Sequence, residues 1–114
     1  MEKLKRQLTK LKKIRDWYWE QWEEDRNIQD YLDMKYMAFN KLCDTVDIAI
    51  ANGYDWDTNE LLDNIFETMD LKCDGYTLDK GMITRGINIL KGDEEALKNE
   101  KVLMQAFDEA YEVF

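Results

Sequence analysis

Two thiols and a large excess of carboxylates are the groups with which this 114-residue chain could do chemistry, because it contains no histidine, no serine and no proline. Those absences remove the commonest general base and metal ligand together with the commonest acyl nucleophile. A cysteine nucleophile or carboxylate-only acid–base chemistry is what remains. Cys43 has no imidazole to activate it and sits in an apolar helical pattern. Cys43 and Cys73 have neither the spacing of a zinc site nor that of a disulfide framework, and both read as core thiols. The inventory predicts a protein that is not an enzyme, with no catalytic residue and no cofactor.

The segment Asp70-Leu71-Lys72-Cys73-Asp74-Gly75-Tyr76 resembles the start of an EF-hand loop, with acids at its first and fifth positions and glycine at its sixth. Its third position is Lys72, a cation where an oxygen ligand is needed. Its twelfth is Gly81, where a bidentate Glu should stand. Too few oxygens remain for calcium, and no metal site is expected. A turn that uses Gly75 for a positive φ accounts for the same residues.

Charge is the stronger signal. Lys3, Lys5, Arg6, Lys10, Lys12, Lys13 and Arg15 stand against Glu2 alone, so residues 1–15 carry a net +6 while the rest of the chain carries −15. Opposite poles on one small protein point to recognition by electrostatics. On the acidic side, Asp30, Asp33, Asp44 and Asp47 fall on one face of a helix, with Met37 and Asn40 between them. Carboxylates one helical turn apart, about 5 to 6 Å, can imitate the regularly spaced phosphates of a nucleic-acid backbone. A solvated face that keeps the protein soluble is the plainer explanation of the same charge. On the basic side, Arg6, Lys10, Lys13 and Trp17 share one polar face, with Trp17 directed away from the apolar stripe. An exposed indole among cations suits nucleic acid, an acidic protein or an anionic membrane. Alternatively the basic helix packs on the acidic body of its own or a second subunit.

These residues need helices to position them, and apolar residues recur at intervals of three and four throughout. About residues 2–25 form an amphipathic helix with Leu4, Leu8, Leu11, Tyr18 and Trp22 on one stripe and Ile14 and Trp19 at its margins. A second helix, about Ile28 to Ala51, aligns Ile28, Leu32, Phe39, Leu42, Cys43, Val46 and Ile50. Asn27 is placed to cap it and Asn52-Gly53 to end it. A bend near Asp25-Arg26-Asn27 is preferred to one continuous rod. Met34, Met37 and Ile48 lie off the main stripe, which predicts either burial against the last helix or an interface.

A third helix starts at Asp57-Thr58 with Glu60 and carries Leu61, Leu62, Ile65, Phe66 and Met69. A fourth, capped by Thr77, carries Leu78, Met82, Ile83, Ile87 and Leu90. The alternative there is a hairpin around Asp79-Lys80-Gly81 pairing Tyr76–Leu78 with Met82–Thr84. The last helix opens at Asp93, with Glu94 and Glu95 at the positive end of its dipole, and buries Leu103, Phe107, Ala110 and Phe114.

The expected class is all-α: a four- to five-helix single domain whose long amphipathic basic N-terminal helix, residues 1–26, protrudes or self-associates beside an acidic helical domain, residues 27–114. No apolar run is long enough to span a bilayer and no secretory signal is visible, so a cytoplasmic location is expected. The leading functional expectation is a small acidic protein-binding protein. In its sharpest form it is a phage or mobile-element inhibitor that occupies the basic nucleic-acid-binding surface of a larger protein. The analogy is to anti-CRISPR and anti-restriction DNA mimics, and it is one of charge and size without a shared motif. The alternatives are a nucleic-acid-binding adaptor and a homodimer, each acting through the N-terminal helix.

Overall fold

A computed structural model describes residues 2–24, 29–53, 58–73 and 75–112. Five helices and one two-stranded hairpin follow in the order α1 (Glu2–Glu24), α2 (Gln29–Ala51), α3 (Thr58–Thr68), β1 (Lys72–Cys73), β2 (Tyr76–Thr77), α4 (Lys80–Leu90) and α5 (Glu94–Glu112). The expected all-α class holds. Asn27, Ile28, Asp57 and Phe114, and the side chains of Asp30, Phe107 and Ala110, lie outside the described residues.

Helix α1 is long and uninterrupted, and its stripe at three- and four-residue spacing is buried end to end: Leu4, Leu8, Leu11, Ile14 and Tyr18 are all 4 % exposed or less. It runs antiparallel to α2, since Lys12 meets Asp47, Tyr18 meets Phe39 and Trp19 meets Tyr36. Its apolar stripe therefore belongs to the same core as Leu32, Phe39, Leu42, Cys43 and Val46 of α2. The basic helix neither protrudes nor keeps those leucines for a second copy. Burial of each such leucine contributes about 1.5–3 kcal/mol, which is why α1 lies down on the body despite its charge.

Helix α4 closes the core with Ile83, Ile87, Ile89 and Leu90. Gly86 is buried at its contact with α2, where an added Cβ would stand 2.6 Å from Leu42 Cδ2 and 3.3 Å from the Phe39 ring. The glycine that costs helix propensity is what lets the two backbones approach. Helix α3 adds Leu61, Leu62, Ile65 and Met69.

The connection from α3 to α4 differs from expectation. The hairpin exists but lies earlier, pairing Lys72 with Thr77 and Cys73 with Tyr76 around Gly75 at φ +84°. Thr77 is held in that ladder, so the cap of α4 falls to Asp79, whose carboxylate accepts from the backbone N–H groups of Gly81 at 2.7 Å and Met82 at 3.3 Å. At α5 the expected cap is present: Asp93 accepts from Glu95 and Ala96 N–H groups at 2.9 and 3.4 Å. The inward face of α5, however, is built from Ala96, Leu97, Glu100 and Met104, with Leu103 only half-buried.

Candidate partner-binding surfaces

Part of the row expected on α2 is engaged by its neighbours. Asp47 pairs with Lys12 at 2.8 Å, and Asn40 accepts from the Arg15 guanidinium at 3.3 Å. Asp33 and Met37 are half-buried beside the hairpin, where they line a cleft of about 390 Å³ with Met34, Tyr76, Leu78 and Asp79. Only Asp44 of the row is exposed among the described side chains. Helix α2 is the central helix of the fold, packed by α1, α4 and α3.

Helix α3 carries a second acidic row. Glu60, Asp63, Asn64 and Glu67 are exposed in succession, and Asp70 follows beyond the helix end. Asp63 pairs with Lys91 at 2.7 Å, and Asp70 accepts from the Lys72 N–H at 3.0 Å. Glu60 and Glu67 stand without a cation partner among the described residues. The signal was present in the sequence as acids at i, i+3, i+7 and i+10, a run that the α2 row, with Met37 and Asn40 at its i+7 and i+10 positions, does not match.

The off-stripe residues of α2 are not buried against α5. Met34 is 46 % and Ile48 62 % exposed. Ile48 edges a shallow groove of about 290 Å³ between α2 and α3 whose floor includes Ala49, Leu61 and Ile65. Asp44 stands one turn before Ile48 on α2.

On α1 the polar face divides. Lys12 and Arg15 turn toward α2 and the acidic body, as the intramolecular reading anticipated for the basic helix, with Arg15 also pairing with its neighbour Asp16 at 2.9 Å. Arg6, Lys10 and Lys13 are exposed. Trp17 departs from expectation: it is half-buried, edge-on to Tyr18 with ring centroids 5.1 Å apart, and packed against the core. The exposed indole is Trp19, stacked on Trp22 at 5.0 Å and leaning on Tyr36. The helix is rotated so that Ile14 and Tyr18 face inward, which draws Trp17 toward the core edge.

A charged cluster in the interior went unread in the sequence. Glu100 of α5 is fully buried, accepts from the Tyr18 hydroxyl of α1 at 2.6 Å and from Lys35 Nζ of α2 at 3.0 and 3.3 Å, and forms an ion pair with the Arg85 guanidinium of α4 at 2.9 Å. Lys35 is 1 % exposed, and its ammonium also lies 5.6 Å from the ring centres of Tyr18 and Phe39. Burial pushes the Lys35 pKa below its ordinary value, and the adjoining Glu100 carboxylate only partly opposes that. Glu100 and Lys35 line neither of the two clefts described above. The cluster ties four helices together.

Cys43 is buried, and burial pushes its thiol up to about 12, so it is not a thiolate near neutrality. In the hairpin, Asp70 serves its own loop, and no three or more acid or thiol ligands converge among the described residues. No helix among those residues is long and apolar enough to cross a membrane. Set against known protein families, curated proteins and solved structures, the chain matches none of them.

Proposed function

We propose that this protein is a non-enzymatic binding protein whose acidic surface occupies the basic, nucleic-acid-binding groove of a larger protein and so excludes the nucleic acid from it. The observation that carries this reading is the exposed run Glu60, Asp63, Glu67 on α3, continued by Asp70. Successive members are three or four residues apart, a rise of about 4.5 to 6 Å, which a groove built for a phosphate backbone can engage. Asp44 of α2 adds a further exposed carboxylate, and the Ile48 groove gives a partner an apolar foothold between the two helices. A catalytic role finds no support in a chain without histidine or serine whose one fully buried thiol is held protonated. A virus or mobile element that must disarm a host nucleic-acid enzyme is the setting such an inhibitor suits.

The test uses the intact chain as immobilised bait against a nuclease-treated lysate of its source cell. Nucleic-acid-binding proteins should be retained at low salt and released as salt rises. The triple variant Asp44→Lys/Glu60→Lys/Glu67→Lys, altered only at exposed positions, should lose them. Equal retention by that variant would end the proposal.

A further inference from the structure

The cations that α1 leaves free do not stand alone. Its outer flank faces the N-terminal half of α5 across a cleft of about 450 Å³, to which α1 contributes Gln7 and Lys10 and α5 contributes Lys98, Lys101 and Gln105. Lys3 reaches the same end of the cleft, since a Cβ on Gly92 would lie 3.2 Å from its Cε. Arg6 and Lys13 continue the line along α1, so that Lys3, Arg6, Lys10 and Lys13 extend over ten residues, about 15 Å of helix. All six of these cations are exposed, and none has an acidic partner within ion-pair distance among the described residues. The acids at the cleft are Asp93 and Glu94, and the Asp93 carboxylate is engaged in capping α5.

We propose that this α1–α5 cleft binds the phosphate backbone of a nucleic acid through Lys3, Arg6, Lys10, Lys13, Lys98 and Lys101. Charge complementarity names the occupant as a polyanion. The lining distinguishes a phosphate backbone from an acidic protein. Long flexible lysines and the amides of Gln7 and Gln105 suit sequence-independent contacts to phosphate oxygens. A stable protein interface centres on a buried aromatic or large apolar anchor, and the large apolar residues lining this cleft are Val102 and the half-buried Leu97, with no aromatic among them. Lys98 and Lys101 extend the basic face beyond the N-terminal segment, and they come from a helix that is acidic at its start and reads as unremarkable in sequence. The site shares no residue with the acidic surface proposed above and stands or falls separately from it.

The experiment is an anisotropy titration of the intact chain with a labelled 20-base-pair duplex at about 50 and 200 mM salt. Unlabelled duplex and polyglutamate serve as competitors. With about four phosphates neutralised, the logarithmic salt slope should be near −3.6, a loss of roughly 100-fold in affinity over that range. The variant Lys98→Glu/Lys101→Glu should bind at least tenfold more weakly at low salt and show a shallower slope. The control Lys72→Glu/Lys80→Glu, exposed elsewhere, should bind as the parent does. Circular dichroism confirms that each variant is folded, and Lys98→Ala/Lys101→Ala replaces the reversal if it is not. The proposal is overturned by absent binding at 100 µM chain and low salt. It is equally overturned if the α5 variant binds as the parent does, if the control loses as much affinity as the α5 variant, or if polyglutamate competes better than duplex.

Discussion

The Tyr18 hydroxyl donates to Glu100 Oε2 across 2.6 Å, joining the first helix to the last through the middle of the core. Glu100 also holds Lys35 and Arg85, so one carboxylate fixes how α1, α2, α4 and α5 are turned toward one another. Leucines in those places would pack as well and would tolerate several rotations of α5. A buried carboxylate tolerates only the one in which its donors meet it, because any other leaves a charge in the core without partners. The body that presents the two charged surfaces is thereby held in a single arrangement.

Removing one member of this cluster should cost far more than replacing the set. Glu100→Gln alone strands the buried Lys35 ammonium and should lower unfolding free energy by about 3–5 kcal/mol in urea denaturation, whereas Lys35→Met leaves Glu100 with Tyr18 and Arg85 and should cost less. The combination Glu100→Leu/Lys35→Met should recover most of that, since a well-packed apolar pair is close to neutral in such a site. Single-variant losses below about 1 kcal/mol would show that the cluster is not the tie inferred from its geometry.

The two thiols should be distinguishable. Cys43 is buried and Cys73 half-buried, so a disulfide reagent at pH 8 should label Cys73 alone in the folded chain and both in urea. The sign of the pH effect follows from the same burial. The folded Cys43 thiol titrates at about 12, above the ordinary value of 9.0, so its contribution to stability is whole below pH 9 and is lost as pH rises toward 12. Cys43→Ala should therefore soften the alkaline loss of stability across that window, as followed by circular dichroism. Rapid labelling of Cys43 in the native chain would contradict the packing.

Gly86→Ala should destabilise despite the better helix propensity of alanine. The added methyl meets Leu42 and the Phe39 ring, both fully buried with nowhere to retreat, and overpacking of this kind costs about 1–3 kcal/mol. A gain in thermal midpoint would mean that α2 and α4 separate easily.

Asp93→Ala should cost about 1 kcal/mol, because Asp93 accepts from two N–H groups at the start of α5. Asp79→Ala should cost a similar amount at α4. A change within error in both variants would mean that the first turns of these helices are held by packing alone.

What the sequence revealed and what it hid divide along one physical line. Features decided by a residue and its near neighbours were legible: the stripe Leu4, Leu8, Leu11, Tyr18, the Asp93 cap, and Gly53 ending α2 at φ +72°. Features decided by which helix lies beside which were not. Glu100 looks like any surface acid until its donors, 82 and 65 positions away in the chain, are brought to it. Asp47 looked free for a partner because nothing local announces Lys12 as its mate. Trp17 was misplaced for the same reason, since a small rotation of α1 toward its neighbours separates an exposed indole from a half-buried one. The acidic row on α3 was legible and passed over, although its acids at Glu60, Asp63, Glu67 and Asp70 follow one another without the interruption that Met37 and Asn40 make on α2.

Competition measures most directly whether the acidic face takes the place of nucleic acid in a basic groove. Proteins retained from nuclease-treated lysate by the Lys98→Glu/Lys101→Glu chain, whose own basic cleft is weakened, are challenged with duplex DNA and with a neutral polymer at equal mass. Release by the duplex and none by the polymer is the expected outcome. Proteins that stay bound at saturating duplex would contradict it.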